Sequence, residues 1–529
     1  MTEGYDYIII GGGSAGCVLA ARLSEDPAVR VCLLEAGGRD WNPLFHVPAG
    51  FAKMTKGVGS WGWSTVPQRH LRGKVFTYTQ AKVIGGGSAI NAQIYTRGNA
   101  LDYDEWRQMG CEGWSYEDVL PYFRKAEDND TFDDRYHGRG GPLGVSRPAA
   151  PLPICEAYFE AATRLGIPRN MDVNGERQDG VAYYQLTQRN ARRSSAAMAY
   201  LAPNRGRANL TVRTGAQVRR LDVSGGRATG VTLTDGTRLA AGTEVILSSG
   251  AIGSPRLLQL SGIGPADHLR DLGIDVVLDQ PNVGENLQDH LDLYCICEVT
   301  GPHTYDRYAR PLMSAVAGVQ YLLTRKGPVA SSLFETGGFW YADPDARSPD
   351  LQLHLGLGTG IEAGVAAMPE GGVTLNSCYL RPRSRGTVRL ASADPSEAPL
   401  IDPNYCADPR DLEMSIRGLK LTQEILAQDP LRPFIRAERL PGPEVKTDSD
   451  YFAYICQHSK TSHHGAGTCR MGVDAGAVVD PRLRFNGIAG LRVVDASIMP
   501  TVISSNTNAA AIMIGEKAAD MIKADNGGA

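Results

Sequence analysis

The segment DYIIIGGGSAGCVLAARL, residues 6–23, decides the fold of the N-terminal part of this chain. Its first five residues form a short apolar run typical of a buried strand, and its last seven suit a helix. Between them lies a G-x-G-x-x-G loop. Gly11 permits the turn, Gly13 lets the backbone approach a pyrophosphate, and Gly16 lets the helix pack on the strand. Because the helix start offers free N–H groups to phosphates, the segment predicts a dinucleotide-binding α/β fold.

An acidic residue follows this loop at the spacing that ribose binding requires. A second apolar strand is predicted for residues 29–34 and ends at Glu35, which is 35 − 16 = 19 residues after Gly16. A carboxylate about 20 residues past the last glycine is placed to accept hydrogen bonds from ribose hydroxyls. The motif by itself does not distinguish FAD from NAD.

Length and composition restrict the class of protein. The chain has 529 residues, so we expect two large domains or one domain with a sizeable insert. Its net charge of −4 predicts no general attraction to nucleic acid. The ten cysteines form no C-x-x-C pair, which favours free thiols in a reducing compartment. Without a signal peptide or a run of about 20 apolar residues, we expect a cytoplasmic protein, with peripheral membrane contact left open.

Two kinds of region alternate along the chain. Strands bounded by glycines alternate with helical patterns in residues 1–155, 210–315 and 459–529. Shorter amphipathic segments and strands, such as 373–380 and 386–390, occupy residues 156–209 and 316–458. We assign the first set to a Rossmann-like α/β domain that binds the dinucleotide. The second set is expected to form an inserted α+β substrate-binding domain with an antiparallel sheet.

A second glycine-rich loop, AKVIGGGSAIN at residues 81–91, brings several hydrogen-bond donors to one place, although a structural turn is the alternative interpretation. Residues 81–97 resemble the first signature of the glucose-methanol-choline (GMC) oxidoreductases. The run GAIGSPRLLQLSGIG at 250–264 resembles the second signature. The G-x-N-L-Q-D-H run at 284–290 and residues 491–514 are further marks of that family, so the resemblance extends over nearly the whole chain.

The resemblance implies an oxidoreductase that binds FAD and acts on CH–OH groups. It places the following residues against the cofactor: Gly11, Gly13, Ser14, Ala15, Gly16, Glu35, Ala36, Gly86, Gly87, Ser88, Asn91, Ala92, Val218, Asp495, Ala496, Asn506 and Thr507. Val218 matches a position that contacts the adenine through its backbone. Some relatives attach the flavin covalently through a histidine just before the loop asparagine. Ile90 occupies that place here, which predicts a non-covalent, dissociable FAD.

Alcohol oxidation requires a base for the hydroxyl proton, and histidine suits this role near neutral pH. Among ten histidines, His463 and His464 stand out because they precede a glycine-rich turn, GAGT at 465–468. By the resemblance, His464 matches the catalytic base, and Asn508, 508 − 464 = 44 residues later, matches the second member of a His/Asn pair. Asn508 would hydrogen-bond the substrate oxygen and stabilise the developing alkoxide, whereas His463 is interpreted as structural.

Other conspicuous residues carry less weight. Glu335 resembles a substrate-facing position of the family, with an ordinary surface carboxylate as the alternative. Asp289 and His290 suggest an acid/base pair, but the resemblance places their loop along the cofactor. Many relatives have proline after the catalytic histidine, where this chain has Gly465. No group of Cys and His residues has metal-ligand spacing, so no metal site is predicted.

Within the family, residues 50–55, 137–146 and 380–390 resemble segments of L-sorbose dehydrogenases and related primary-alcohol dehydrogenases. We therefore predict oxidation of a primary hydroxyl, in a ketose such as L-sorbose, a polyol or an aliphatic alcohol, to an aldehyde. A quinone or dye-type acceptor would take the electrons. The alternatives are an oxidase that uses O₂, a choline dehydrogenase with Glu335 and a tryptophan cage, and a flavin-binding member or lyase without net oxidation, because a fold does not fix the substrate.

Overall fold

The computed structural model describes residues 3–362 and 365–526. Its α-helices are α1 (Ser14–Leu23), α2 (Phe51–Met54), α3 (Gly87–Ile90), α4 (Ala100–Gln108), α5 (Tyr116–Ala126), α6 (Pro153–Arg164), α7 (Gly250–Leu260), α8 (Ala266–Asp271), α9 (Pro311–Thr324), α10 (Pro409–Leu426), α11 (Asp448–His458) and α12 (Asn508–Asn526). Its strands are β1 (Glu3–Ile10), β2 (Val31–Glu35), β3 (Ile94–Tyr95), β4 (Glu127–Asn129), β5 (Leu143–Val145), β6 (Gly180–Tyr183), β7 (Gln185–Leu186), β8 (Gln188–Arg189), β9 (Arg192–Arg193), β10 (Leu210–Thr214), β11 (Val218–Ser224), β12 (Arg227–Leu233), β13 (Arg238–Leu247), β14 (Ile263–Gly264), β15 (Leu278–Asp279), β16 (Leu291–Val299), β17 (Thr336–Trp340), β18 (Leu351–Gly356), β19 (Gly372–Tyr379), β20 (Thr387–Arg389), β21 (Leu400–Asp402), β22 (Ile435–Leu440), β23 (Lys460–Thr461) and β24 (Leu491–Val493). Within the described ranges, every helix is too short or too polar to cross a bilayer.

The first large sheet has the strand order β10-β2-β1-β13-β12-β11, and β24 also pairs with β13. Strands β10, β2, β1, β13 and β24 run parallel, with Ile8 between Cys32 and Val245. Strands β11 and β12 continue the sheet in antiparallel pairing. The first glycine loop follows β1 and Glu35 ends β2, so both lie at the carboxyl ends of parallel strands, where ligands of such sheets bind.

Helix α1 packs closely on this sheet because Gly16 has no side chain. A Cβ at Gly16 would lie 1.9 Å from the carbonyl oxygen of Gly11. Gly11 itself has a φ of +105°, which other residues rarely adopt. On its other side α1 contacts α12, where Arg22 forms an ion pair with the buried Glu516 at 2.8 Å. The predicted strand, glycine turn and helix are confirmed as β1 and α1.

The second large sheet has the order β22-β16-β19-β18-β17-β6, and β23 pairs with β16. All of these pairs are antiparallel. One face packs against α6 and α10 through a second apolar core that includes Phe159, Leu353 and Leu419. The predicted strands at 373–380 and 386–390 are observed as β19 and β20.

The expected α/β fold class is therefore confirmed. One of the expected domain boundaries does not match the sheets, since β16 lies within residues 210–315 yet pairs with β19 and β22 of the second sheet. The chain enters the second sheet at Leu291, directly after the 284–290 run. A buried β16 cannot be assigned to one sheet or the other from its apolar sequence alone. The other predicted boundaries remain predictions.

Candidate active site

A deep cavity of about 350 Å³ is lined by residues from both large sheets and from the loops between them. Gly11, Gly13 and Glu35 lie at the end that adjoins the first sheet. His464 and side chains of the second sheet, such as Asp292, line the rest of the wall. The cavity thus joins the predicted dinucleotide site to the predicted catalytic histidine.

Two glycine loops lie against each other at the dinucleotide end. A Cβ at Gly86, whose φ is +54°, would lie 2.5 Å from the Cα of Gly13, and Gly85 donates its N–H to the carbonyl of Gly12 at 2.7 Å. The space beside Gly13 is open, because a Cβ there would meet no atom closer than 3.8 Å. No side chain caps the start of α1. An uncapped helix start beside a glycine wall is a phosphate-binding arrangement.

Glu35 closes this end of the cavity. Its carboxylate accepts N–H groups from Gly12 at 2.8 Å and Gly37 at 2.7 Å. Burial raises the pKa of Glu35 to about 7, although both hydrogen bonds act to lower it. Hydroxyl donors of a ribose would favour the ionised carboxylate. Ala36 and Val218 line the adjacent wall, so the residues present fit the adenosine part of a dinucleotide.

His464 is held in one tautomer by a second histidine. Its Nδ1 lies 2.9 Å from Nδ1 of His290, and Nε2 of His290 lies 3.1 Å from the carbonyl oxygen of Leu380. Because a carbonyl only accepts, His290 carries its proton on Nε2, and its Nδ1 is the acceptor. His464 therefore donates from Nδ1 and keeps a lone pair on Nε2.

Both imidazoles are neutral near pH 7. Burial, together with the neighbouring His290, lowers the pKa of His464 well below its ordinary value. Burial likewise lowers the pKa of His290 to about 4. A neutral imidazole with its Nε2 lone pair on a cavity wall is suited to accept a proton from a substrate hydroxyl.

Asn506, and not Asn508, forms the pair with His464. The Asn506 Nδ2 lies 3.0 Å from His464 Nε2, and its Oδ1 accepts from Gln352 Nε2 at 2.9 Å and Thr96 Oγ1 at 3.1 Å. Asn508 begins α12 and accepts a hydrogen bond from Ser14 Oγ at 2.7 Å. Asn508 also lines the cavity, and its buried Nδ2 has no hydrogen-bond partner among the described residues, so its predicted contact with the substrate oxygen stays a prediction.

Asp289 fixes the turn that carries His464. Its Oδ1 accepts the backbone N–H of His464 at 2.7 Å, and its Oδ2 accepts the hydroxyls of Thr461 and Tyr405 at 2.5 Å each. Neither Asp289 nor His290 is among the described residues that line the cavity. They lie behind His464, so the expectation that their loop runs along the cofactor wall is not met.

The residues on either side of His464 are closely packed. His463 lines the cavity, has a φ of +60°, and its buried Nδ1 lacks a hydrogen-bond partner within the described ranges. A Cβ at Gly465 would lie 2.7 Å from the buried hydroxyl of Tyr78. The glycine at this position therefore makes room for the hydroxyl group of Tyr78.

The second sheet gives the cavity a charged wall. Asp292 of β16 forms an ion pair with Lys460, whose ammonium also lies 3.0 Å from Glu362. Asn376 of β19 donates to Asp292 at 3.2 Å and stands opposite His354 of β18. Burial lowers the pKa of Lys460, but the two carboxylates outweigh it and raise the pKa above its ordinary value, so the ammonium stays charged.

Three polar atoms of this wall are left without a protein partner. Asp292 Oδ1, Asn376 Oδ1 and His354 Nε2 are buried and make no hydrogen bond to any described residue. Buried polar groups are rarely left unpaired in native proteins. The wall is therefore suited to hydrogen-bond a polar ligand inside the cavity.

Most of the residues predicted to contact the cofactor line this cavity, namely Gly11, Gly13, Ser14, Ala15, Glu35, Ala36, Gly86, Gly87, Asn91, Ala92, Val218, Asp495, Ala496, Asn506 and Thr507. Gly16 instead packs against Gly11. Ser88 also does not line it, since its hydroxyl donates to the carbonyl of Gly85 at 2.5 Å and accepts the N–H of Ala196 at 2.8 Å. Ser88 therefore shapes the glycine loop from within the protein.

Glu335 does not face the cavity. Its side chain is buried, and burial raises its pKa to about 7. The preceding residue, Phe334, lines the cavity instead. Adjacent side chains of an extended segment point to opposite sides, so the predicted substrate contact of Glu335 is wrong.

Sequence reasoning missed the charged wall: Asp292, His354, Glu362, Asn376 and Lys460. These residues come from separate strands and loops, so no local motif contains them. One signal was available, because Asp292, His354 and Asn376 are polar residues inside fully buried strands. Polar side chains at such positions indicate a shared polar site.

The chain is similar to known proteins over its whole length. The family models "GMC oxidoreductase" match residues 5–292 and 382–515. It is 41% identical to the alcohol dehydrogenase [acceptor] of Pseudomonas putida, over 98% of this chain and 95% of that protein. It is 42% identical to human mitochondrial choline dehydrogenase, over 98% and 90%. Among solved structures, pyridoxine 4-oxidase of Mesorbium loti superposes with a TM-score of 0.89 at 34% identity, covering 98% of each chain.

Proposed function

This chain belongs to the GMC oxidoreductase family, and on that premise we propose that it is an alcohol dehydrogenase that oxidises a primary hydroxyl to an aldehyde. As a family member it binds FAD and is an oxidoreductase acting on CH–OH groups. The observation that carries the proposal is the His290–His464 contact at 2.9 Å, because it makes Nε2 of His464 the acceptor on the cavity wall, where a substrate hydroxyl would bind in place of the Asn506 amide that lies 3.0 Å away.

The glycine loops, the start of α1 and Glu35 would hold the pyrophosphate and ribose of FAD. FAD supplies the acceptor for the hydride when it is bound. Ile90 lines the cavity and offers no nucleophile, which supports non-covalent binding. Acid precipitation should therefore release a yellow chromophore into the supernatant, and a flavin that stays in the protein pellet would contradict dissociable binding.

His464 Nε2 would take the hydroxyl proton of the alcohol, while the Nδ2 amide of Asn506 donates to the same oxygen and stabilises its developing charge. The Oδ1 contacts of Asn506 with Gln352 and Thr96 keep its amide N–H groups directed at this position. The backbone N–H that His464 donates to Asp289 holds the imidazole in place. Asn508, bonded to Ser14, is proposed to contact the cofactor.

Anaerobic mixing with an alcohol tests these roles by the rate of flavin bleaching. His464→Ala should keep its FAD and lose about 10²–10⁴-fold in that rate. Asn506→Ala should lose about 10²–10³-fold. Asn508→Ala is the matched control and should affect FAD affinity more than the bleaching rate. Rapid bleaching of His464→Ala would remove this residue from the mechanism.

The charged wall favours a hydroxylated substrate, in a ketose or polyol, over a plain aliphatic alcohol. Asp292 Oδ1 and Asn376 Oδ1 need hydrogen-bond donors, which additional hydroxyl groups provide and an alkyl chain does not. L-Sorbose belongs to this class. A panel of matched C4–C6 alcohols, with and without additional hydroxyls, should give higher kcat/KM for the hydroxylated members; the opposite order would exclude this preference.

Choline dehydrogenase is the second candidate, favoured by the carboxylates Asp292 and Glu362 in the cavity. Two observations weigh against it. Lys460 already forms ion pairs with both carboxylates, which leaves one net negative charge there instead of two. In addition, Trp61 stacks on Trp63 at 4.9 Å and is covered by the ammonium of Lys82 at 4.2 Å, so this tryptophan pair does not form an open cage for a quaternary ammonium.

A quinone or dye-type compound is proposed as the electron acceptor. The relative from Pseudomonas putida is named as an acceptor-dependent alcohol dehydrogenase. Dye reduction that proceeds equally with and without air, and without peroxide, would support a dehydrogenase. Peroxide formation in the absence of dye would support an oxidase, and a flavin that no alcohol bleaches would indicate a non-oxidising member.

A further inference from the structure

Helix α9 exposes an apolar face to solvent. Leu312, Val316, Val319, Leu322 and Leu323 are each between 55% and 80% exposed. Only Ala317 and Tyr321 of this helix are buried. Soluble proteins rarely leave such a continuous row of large aliphatic side chains uncovered, so this face is expected to meet an apolar partner.

The apolar face is bordered by positive charge at both ends. Arg307 and Arg310 precede the helix, Arg325 and Lys326 follow it, and all four are exposed. Residues 307–326 contain no Asp or Glu. Across the described parts of the chain, no ion pair involves any of these four cations.

We propose that α9 and its flanking cations dock the protein on an anionic lipid bilayer, with the helix lying in the plane of the interface. A helix with aliphatic residues on one face and Lys or Arg beside them binds in this way, through apolar burial and attraction to lipid phosphates. At 14 residues, α9 is too short to span a hydrocarbon core, which needs about 20 residues. The arrangement anchors the protein on one leaflet.

A bilayer fits the charge pattern better than a second copy of the chain. Two copies joined by their α9 faces around a twofold axis would bring like charges from both helix ends together. Lipid phosphates instead neutralise all four cations at once. The long Arg and Lys side chains also reach from the edge of an apolar face to the headgroup level.

The docking surface lies near the active-site cavity. Helix α9 contacts the turn Pro328–Ala330, which contacts the turn Pro48–Gly50. Phe51, the next residue, lines the cavity. A bilayer bound to α9 would therefore lie on the side of the molecule that carries this part of the cavity wall, where a lipid-soluble electron acceptor could reach it.

Flotation of the FAD-loaded protein with phospholipid vesicles tests the proposal. Binding should be strong to vesicles of phosphatidylcholine with phosphatidylglycerol, weak to phosphatidylcholine alone, and reduced by salt. Leu322→Ser/Leu323→Ser should lower partitioning at least tenfold. Arg325→Gln and Lys326→Gln should each lower it about fivefold. Dye-linked activity should stay unchanged in these variants, which would show that they are folded.

Val473→Ser serves as the control, since Val473 is also exposed but lies on a different segment; it should float like the wild type. Equal flotation of the wild type and Leu322→Ser/Leu323→Ser would overturn the proposal. So would a wild type that does not bind vesicles but forms a dimer that this double substitution dissociates, because the partner would then be a second copy of the chain.

Discussion

His290 determines which nitrogen of His464 is free to accept a proton. In His290→Leu the acceptor at 2.9 Å is lost, so His464 would have an unpaired Nδ1–H, and only the contact of Asn506 Nδ2 with Nε2 would still favour this tautomer. We expect the rate constant of flavin bleaching to fall about 10²-fold with little change in KM. His290→Gln should recover much of the rate, because its amide oxygen accepts from His464 while its N–H donates to Leu380.

Comparison of His290→Gln with His290→Leu shows whether His290 sets the tautomer of His464 or only fills space. If His290→Leu and His290→Gln lose equal activity, the role of His290 is to fill space and not to set the tautomer. Thermal unfolding of both variants should accompany the rates, so that a loss of folded protein is not counted as a loss of chemistry.

Lys460 should control the choice between hydroxylated and cationic alcohols. Lys460→Gln removes the ammonium that pairs with Asp292 and Glu362, and leaves two carboxylates facing the cavity. A quaternary ammonium would then be attracted, so the ratio of kcat/KM for choline to that for a polyol should rise at least tenfold. Lys420→Gln, an exposed lysine on α10 that pairs with Asp448, is the matched control. If the ratio of the two kcat/KM values does not change in Lys460→Gln, Lys460 does not determine which substrate is preferred.

The pH dependence of kcat/KM should reflect the lowered pKa of His464. The base must be neutral to accept a proton, and burial holds its pKa well below the ordinary imidazole value of about 6.5. The rate should therefore stay level as pH falls through 6.5 and decline only at lower pH. An acid limb centred at 6.5 or above would show that His464 does not act as a neutral buried base.

At the scale of secondary-structure elements, the contact between β1 and α1 depends on Gly16. Gly16→Ala would place a Cβ 1.9 Å from the Gly11 carbonyl oxygen, so α1 would have to move away from the sheet. Such overpacking typically costs about 1–3 kcal/mol, and the shift would widen the glycine loop. We expect a lower melting temperature and weaker FAD binding. Gly4→Ala is the control, since no atom lies within 4 Å of its Cβ position.

The elements that sequence predicted well are those defined by neighbours in the chain. The strand, glycine turn and helix of β1 and α1 follow from 18 consecutive residues, and Glu35 from one spacing. The hydrogen bond between Asn506 and His464 was not predicted because Asn506 and Asn508 are two residues apart, and only the three-dimensional turn before α12 decides which of them lies beside His464. Glu335 was misplaced for a similar reason, since a shift of one residue reverses the side of an extended chain.

At the scale of the whole molecule, three buried histidines and the partly buried His463 around the cavity should make folding sensitive to acid. Burial lowers the pKa of His290 and His354 to about 4 and that of His463 to about 3, and lowers that of His464 as well. The unfolded chain takes up these protons near pH 6.5, whereas the folded protein does not. The free energy of unfolding should therefore decrease as pH falls from about 6.5 to about 4.

Thermal unfolding in buffers across that range measures the effect. Each such histidine contributes on the order of 3 kcal/mol at its limit, so the melting temperature should fall steeply. His354→Gln should make the melting temperature depend less on pH than it does in the wild type. His70→Gln, away from the cavity, should leave this pH dependence unchanged. A melting temperature that is constant between pH 4 and 6.5 would contradict burial of neutral histidines.

The overall architecture could be predicted because two separate signatures resemble one family over nearly the full chain. The charged wall could not, because Asp292, Asn376 and Lys460 are brought together only by the register of β16 with β19 and β23. Pairings between distant strands are not encoded in any local pattern. The expected boundary at residue 315 differs from the division between the two sheets for the same reason.

The division of the cavity between two sheets makes the enzyme suitable for redesign. The loops proposed to hold the cofactor follow strands of the first sheet, whereas Asp292, His354 and Asn376 are cavity-lining positions of the second. A combinatorial library restricted to such positions on β16, β18 and β19 would sample new alcohols and leave the flavin-binding motif intact. Because the two sets of positions are separate, we expect such variants to keep their yellow flavin while the alcohols they oxidise change.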